Sequence, residues 1–445
     1  MNYLIKNTSI INEGKTFTGD VYIKDGLIER IGDNLSPKEN CSEINGEGLH
    51  LMPGAIDDQV HFREPRLTHK ANIYTESRAA VAGGTTSFME MPNTNPPAFT
   101  RELLEQKYEI ASRTSLANYS FFMGTSNDNL EEIERVDPTK VCGVKIFMGS
   151  STGNLLVDNP TTLDHIFANC PTLIATHCED ERRINERLAM FQEKYGDQIP
   201  FSAHPLIRDE EVCFISSRLA CDLAKKHNSR LHILHITTEE EIALFSNKLP
   251  LEQKRITAEV CVHHLWYDSD DYEQLGSQIK CNPAVKAPRH KPKLLEALKS
   301  NTFDIIASDH APHTWEEKQQ GYLKAPSGLP LVQHTLTMML EFYHQGKISK
   351  EQIVEKMCHA PAICFRLENR GFIREGYAAD LVLLDLNKAT TVDKSNIFYK
   401  CGWSPLEGQT FQSSINSTFV NGNLVFKEGL FFDENCGERL LFRPL

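Results

Sequence analysis

Residues 54–65 read Gly-Ala-Ile-Asp-Asp-Gln-Val-His-Phe-Arg-Glu-Pro, a short apolar segment followed at once by polar residues that can do chemistry. Short apolar runs of this kind alternate along the chain with longer amphipathic stretches, for example 72–82 and 210–227. That alternation is typical of parallel strands joined by crossover helices. The candidate strands are 54–57, 86–91, 119–123, 143–148, 173–177, 230–236, 256–262 and 304–308. Such a series of strands in roughly 310 residues predicts an α/β fold of the (β/α)8 TIM-barrel type rather than an open sheet.

Both ends of the chain have a different sequence pattern from this middle part. Short β-type segments with hairpin signals, Asp25-Gly26 and Asn421-Gly422, precede residue 53 and return after residue 370. We therefore predict that residues 1–52 and 371–445 together build one small β-sandwich domain, and that residues 53–370 form the barrel. The length of 445 residues suits one large and one small domain.

The composition excludes several classes of protein. Charged residues are 24% and hydrophobic residues 40% of the chain, which is typical of a globular protein. Lys and Arg number 47 against 60 Asp and Glu, and this net charge of −13 argues against nucleic acid or an anionic membrane as a partner. The twelve cysteines form no Cys-x-x-Cys pair, and no signal peptide or long apolar run is evident. We expect a cytoplasmic protein.

Chemically capable side chains stand at the ends of the candidate strands, namely His61, Lys145, His177, His235 and Asp309. In a parallel barrel the carboxyl ends of the strands meet on one face, where barrel active sites lie. Each residue alone has an ordinary structural interpretation, such as a hydrogen-bonded strand-end His or a Lys that extends to solvent. Three His, a Lys and an Asp directed at one place predict a metal centre.

Seven motifs occur together in a fixed order along essentially the whole chain. They are Gln59-Val-His-Phe-Arg-Glu-Pro, Ala79-Ala-Val-Ala-Gly-Gly-Thr-Thr, Met91-Pro-Asn-Thr, Gly143-Val-Lys-Ile-Phe, Ala175-Thr-His-Cys-Glu-Asp, His232-Ile-Leu-His and Ser308-Asp-His-Ala-Pro-His. As a set they resemble the dihydroorotases of the amidohydrolase superfamily. The resemblance implies a zinc-dependent enzyme that reversibly closes N-carbamoyl-L-aspartate to (S)-dihydroorotate and water, a step of pyrimidine (UMP) biosynthesis.

The resemblance also implies a ligand set. Lys145 would be carboxylated on its side-chain nitrogen by CO2, and the resulting carbamate would hold one Zn2+ together with His177 and His235. The carbamate, His61 and Asp309 would hold a second zinc, and Asp309 would also shuttle protons. Gln59 replaces the first His of the family's His-x-His pair, and an amide oxygen is a weaker zinc ligand than an imidazole. We therefore expect one firmly held zinc, a second that is weaker or absent, and Gln59 as a weak or absent ligand.

On the substrate side, the resemblance implies that Arg63 binds a carboxylate through paired charge-assisted hydrogen bonds. Asn93, Asn282 and His313 match family residues that contact the substrate, and backbone near Gly328 is expected to contact the ring. Asn282 also has the simpler interpretation of a turn residue before a proline.

Several alternatives stay open at this stage. A hydantoinase, dihydropyrimidinase or allantoinase would share the metal chemistry, but it would not need Arg63 for a substrate carboxylate. The chain could also be a non-catalytic dihydroorotase-like partner of aspartate transcarbamoylase, an interpretation supported only by the missing His at position 59. A homodimer and association with aspartate transcarbamoylase remain open. The segment 313–321 could be a lid or a solvated loop, and His263 and His264 lie outside the implied ligand set.

Overall fold

Eight parallel strand positions close into a barrel in the computed structural model, which describes residues 1–36, 40–149, 153–432 and 436–444. The barrel strands are Ala55–Val60, Thr85–Glu90, Asn118–Phe121 continued by Met123–Gly124, Val144–Phe147, Ile174–His177, Leu231–Ile233, Ile256–Cys261 and Ile305–Ala307. Neighbouring strands pair in parallel around the wall. The circle closes where Val60 pairs in parallel with His310, just beyond the last strand. The predicted (β/α)8 architecture is confirmed.

Helices cover the outside of the wall, and their ends follow from local sequence. Asn72 caps the first helix through a reciprocal pair of hydrogen bonds with Thr75. The helix Glu210–His227 begins after Asp209 and ends at Asn228, which adopts a left-handed conformation. The α-helices are Ile73–Ala82, Arg101–Thr114, Leu130–Glu134, Pro160–Asn169, Glu181–Tyr195, His204–Ile207, Glu210–His227, Val262–Trp266, Tyr272–Leu275, His290–Lys299, Trp315–Lys318, Thr335–His344, Lys350–Val354 and Ala360–Cys364. Shorter helical turns are Gly153–Leu155, Phe201–Ala203, Glu240–Leu244, Leu251–Gln253, Ser269–Asp271, Gly276–Ile279 and the π turn Glu355–His359.

A second sheet joins the two ends of the chain, as the sequence predicts. Its strands are Asn2–Asn12, Lys15–Lys24, Leu27–Gly32, Cys41–Asn45, His50–Pro53, Leu381–Asp385, Ser414–Val420, Asn423–Lys427 and Leu430–Phe431. The strand His50–Pro53 pairs with the N-terminal strand on one side and with Leu381–Asp385 on the other. Two short strands, Thr390–Thr391 and Thr410–Phe411, pair separately. Within the described ranges, no helix combines the length and apolar character that crossing a bilayer requires.

The two predicted hairpin turns are present in this sheet. Asp25 and Gly26 have φ of 50° and 84°, and Asn421 and Gly422 have φ of 49° and 73°. Two successive residues with positive φ make the type of turn that matches the twist of a β-hairpin, which is why Asp-Gly and Asn-Gly occur there. The terminal sheet is thus specified by local turn chemistry, whereas the barrel is specified by alternation of strands and helices.

Candidate active site

Lys145, His177 and His235 come from adjacent barrel strands and are almost completely buried. His177 Nδ1 lies 2.9 Å from His235 Nε2, and His177 Nε2 donates to Glu179 Oε2 at 2.9 Å. This donation leaves the lone pair of His177 on Nδ1, directed towards His235. Burial lowers the pKa of both imidazoles, most strongly that of His235, so both are neutral near pH 7. Neutral imidazoles are the form that binds metals.

The Lys145 ammonium is 1% exposed, and no described carboxylate forms an ion pair with it. Its Nζ lies 4.7 Å from the centre of the Phe147 ring. Burial lowers the pKa of Lys145 to about 7, so a large share of the side chain is the free amine at neutral pH. A free amine can take up CO2 and release one proton, which forms a carbamate. Carboxylation would thus replace an unpaired buried cation by an anionic oxygen ligand.

The second cluster contains Asp309, His61, Gln59 and Asn93. His61 Nδ1 donates to Asn93 Oδ1 at 2.8 Å, which leaves the lone pair of His61 on Nε2. That lone pair faces Asp309 Oδ1 at 3.2 Å. A nitrogen lone pair and a carboxylate oxygen repel each other at this distance unless a proton or a metal cation lies between them. The donor set therefore fits a metal ion between His61 and Asp309.

Gln59 does not direct its oxygen at that position. Its Nε2 donates to Asp309 Oδ1 at 3.1 Å, while its Oε1 lies 3.7 Å from Cys261 Sγ. The amide thus acts as a hydrogen-bond donor to Asp309. That Gln59 is a weak or absent ligand stays a prediction.

Arg63 lies beside these clusters and is 7% exposed. Its Nε donates to Pro312 O at 3.1 Å, and its Nη2 lies 3.0 Å from His313 Nε2. Burial lowers the pKa of Arg63 to about 10, so the guanidinium stays charged at neutral pH. Burial and the neighbouring Arg63 charge hold the pKa of His313 well below its ordinary value, so His313 is neutral. The result is a fixed, buried positive charge at the edge of these two side-chain clusters.

Three residues of the site, each just beyond the end of a strand, have positive backbone φ angles. Arg63, His235 and Asp309 have φ of 70°, 41° and 47°. Positive φ in residues other than Gly costs free energy and is concentrated at functional sites.

Gly328 and Asn282 border the same region. Gly328 has φ of 139°, and a Cβ there would lie 2.4 Å from Ala311 O and 3.1 Å from His313 Cδ2. Only Gly therefore fits this position. Asn282 Oδ1 is buried and has no hydrogen-bond partner among the described residues, which is unusual for a residue that only makes a turn.

Comparison with known proteins bears directly on this geometry. The model of the Amidohydrolase family matches residues 50–425. The chain belongs to the amidohydrolase family. It is 32% identical over 420 residues to a dihydroorotase of Methanosarcina acetivorans, covering 91% of this chain and 88% of the relative. It is also 30% identical over 430 residues to a dihydroorotase of Pyrococcus abyssi, with 96% of each chain covered.

Solved structures agree with this amidohydrolase assignment. An L-hydantoinase (dihydropyrimidinase) from Arthrobacter aurescens superposes with a TM-score of 0.92 at 26% sequence identity, over 99% of both chains. A dihydropyrimidinase from Brevibacillus agri superposes with a TM-score of 0.89 at 22% identity and shares the fold. With dihydroorotases and a hydantoinase among its relatives, this amidohydrolase is a cyclic amide hydrolase.

The amidohydrolase site contains contacts that the motifs did not predict. Asn93, predicted as a substrate contact, holds His61, and Glu179 holds His177. Cys261, His263 and His264 each have a possible ligand atom within 4.8 Å of the other two, although the His pair lies outside the ligand set that the resemblance implies. Glu179 could have been noticed because it lies two residues after His177 in the sequence. A single acidic residue at that spacing is common, however, and does not by itself predict a contact.

The segment 313–321 is not a solvated loop throughout. It contains the helix Trp315–Lys318, which is capped by Thr314, and Lys318 is completely buried. The Trp315 ring lies 5.5 Å from the Trp403 ring. The loop interpretation is therefore wrong for the helical part of the segment, and closure as a lid stays a prediction.

Replacing Gln59 by His is expected to raise the zinc content from about one to about two ions per chain, because an imidazole would then join His61 and Asp309 as a ligand. Metal analysis after moderate chelation measures this change. Gln59→Asn shortens the amide and serves as the control, which should match the wild type. If the wild type itself keeps two zinc ions firmly, Gln59 does not weaken a site.

Proposed function

We propose that this amidohydrolase is a dihydroorotase that closes N-carbamoyl-L-aspartate to (S)-dihydroorotate with release of water, and reopens the ring. The observation that carries the proposal is the buried Arg63 guanidinium, held by Pro312 and His313 beside the metal clusters. A guanidinium fork matches a carboxylate in shape and charge. Dihydroorotate has a ring carboxylate, whereas dihydrouracil and hydantoin do not. The dihydroorotases at about 30% identity also support this substrate.

The metal sites follow from the two clusters. Carboxylated Lys145 with His177 and His235 would hold one Zn2+ firmly, and His61, Asp309 and the carbamate would hold a second more weakly because position 59 is Gln. When bound, the metal would supply an acidified water and polarise the ring carbonyl. The family is metal-dependent, and the buried, neutral imidazoles support zinc as the ion.

Asp309 carries the proton in both directions. During ring opening its carboxylate accepts a proton from the attacking water, and it then delivers this proton to the ring nitrogen as the C–N bond breaks. Ring closure uses the same steps in reverse. Gln59 Nε2 donates to Oδ1 of Asp309 at 3.1 Å, which limits rotation of the carboxylate.

Arg63 binds and orients the substrate, and Asn282, His313 and backbone at Gly328 complete its pocket. The unpartnered Asn282 Oδ1 can accept a hydrogen bond from a ring N–H. The site side chains Arg63, Asp309 and His313 are buried, which strengthens their electrostatic interactions with a bound substrate. Four further points remain predictions. They are a separate domain made of residues 1–52 and 371–445, a homodimer, a cytoplasmic location, and association with aspartate transcarbamoylase.

The experiment compares wild type and Arg63→Met on dihydroorotate and on neutral rings, with metal in excess. Wild type should have its highest kcat/KM on dihydroorotate. Arg63→Met should lower that value by about 10²-fold, the loss expected when a charge-assisted carboxylate pair is removed, and should leave neutral rings nearly unaffected. Arg66→Met, at an exposed position three residues later, is the control. Faster turnover of dihydrouracil, hydantoin or allantoin by wild type would contradict the proposal.

A further inference from the structure

Two buried lysines, Lys280 and Lys318, lie on the substrate side of the site. Lys318 is completely buried and Lys280 is 8% exposed. Neither ammonium forms an ion pair with a carboxylate in the part of the chain that the structure describes. Burying an unpaired ammonium is costly unless all of its hydrogens find acceptors. The acceptors that these lysines use are backbone carbonyls of the substrate pocket.

Lys318 donates its three ammonium N–H groups to three backbone carbonyls. Its Nζ donates to Lys280 O at 3.2 Å, to Pro326 O at 2.9 Å and to Gly328 O at 2.9 Å. An ammonium has three donors and no acceptor, so this set is complete. One side chain thus connects the helix Trp315–Lys318 to two other segments.

Lys280 extends the same arrangement. Its Nζ donates to Tyr322 O at 2.7 Å and to Ala325 O at 2.6 Å, and it lies 4.5 Å from the centre of the Tyr322 ring. Its carbonyl, besides accepting from Lys318, accepts from Gly328 N at 2.8 Å. The two ammonium groups therefore hold the loop 322–328 through four of its carbonyls.

This loop and its neighbours carry the proposed substrate contacts. Gly328 packs against Ala311 and His313, and His313 Nε2 lies 3.0 Å from both Ser327 O and Arg63 Nη2. Asn282 follows Lys280 by two residues. A shift of a few tenths of an ångström in the loop would thus move Gly328 and His313 relative to Arg63.

We propose that Lys318, assisted by Lys280, is a positioning residue for substrate binding. Its Nζ fixes the loop 322–328 against His313 and Arg63 through Pro326 O and Gly328 O. This inference rests on the proposed function for the identity of the substrate, but the fixing of the loop applies to any cyclic amide. Burial lowers the pKa of Lys318 to about 7, and the nearby charges of Lys280 and Arg63 act in the same direction.

The test compares Lys318→Met with Lys356→Met. Lys356 is also buried and donates to a carbonyl, Phe303 O at 2.9 Å, but at the opposite end of the barrel. In Lys318→Met, KM for dihydroorotate should rise about 10-fold or more while kcat changes less than about 3-fold, because binding rather than chemistry is lost. Hydrogen exchange of the Gly328 amide should become faster, and zinc content should stay unchanged. Lys356→Met should lower the melting temperature without changing KM.

Lys318→Arg and Lys280→Met keep the proposal testable if Lys318→Met does not fold. Lys318→Arg keeps the charge and should recover part of the affinity, whereas Lys280→Met should raise KM and the exchange rate of the loop 322–328. An unchanged KM and unchanged exchange in the folded variants would overturn the proposal, as would an equal rise of KM in Lys356→Met. If wild type opens only neutral rings, the proposed function fails, while loop exchange and KM for that ring still test Lys318.

Discussion

Replacing Asp309 by Asn is expected to lower kcat by about 10³-fold or more, within the range that general acid and base catalysis contributes. Asn has nearly the same shape as Asp but cannot accept and return the proton. About one zinc per chain should remain, because Lys145, His177 and His235 form the firmer site. The measurement is kcat with metal in excess, together with the zinc content of the purified variant.

The control for this prediction is Asp304→Asn. Asp304 precedes the same strand, Ile305–Ala307, and forms a buried ion pair with Lys254 at 2.6 Å, far from the strand end that carries Asp309. Its loss should reduce the free energy of unfolding and leave kcat within about 2-fold of wild type. An Asp309→Asn variant that keeps a tenth or more of wild-type turnover would contradict the assigned proton transfer.

Replacing Lys145 by Met or by Arg is expected to remove both the firmly held zinc and the activity, with kcat falling by about 10³-fold or more. Met removes the amine, whereas Arg keeps a positive charge on a group that does not form a carbamate. Both variants lose the anionic oxygen that would bind zinc with His177 and His235. Metal analysis and turnover of the two variants measure this effect.

The carbamate itself has a separate readout in the wild type. Metal-stripped protein should regain zinc and activity faster when bicarbonate is added, because CO2 must first react with the Lys145 amine. Lys145→Arg should show no response to bicarbonate. If Lys145→Arg binds zinc as firmly as wild type, the carbamate is not a ligand.

The approximate positions of the barrel strands could be predicted from the sequence because each apolar run is followed by polar residues. The exact first and last residues of the strands could not be predicted. Residues 230–236 were predicted as one strand, but the strand is Leu231–Ile233, and His235 follows it with φ of 41°. A His is only a weak local signal for positive φ, so such a backbone turn is fixed by packing around the site more than by propensity.

The candidate site was predictable where side chains stand at strand ends, as His177 and Asp309 do. It was not predictable where a residue acts through the backbone of a distant segment. Lys318 lies in an ordinary polar stretch, and only the folded chain brings its ammonium to Gly328 O and Lys280 O. Likewise, the overall charge of −13 gave no indication of the buried Arg63 beside the candidate metal ligands.

Ring closure by the metal-loaded wild-type protein tests the central claim most directly. N-carbamoyl-L-aspartate is incubated with the protein, and the products are separated and identified by mass. We predict that (S)-dihydroorotate forms, and that reactions started from either compound reach the same final mixture. Absence of dihydroorotate with a preparation that opens hydantoin or dihydrouracil would contradict a dihydroorotase.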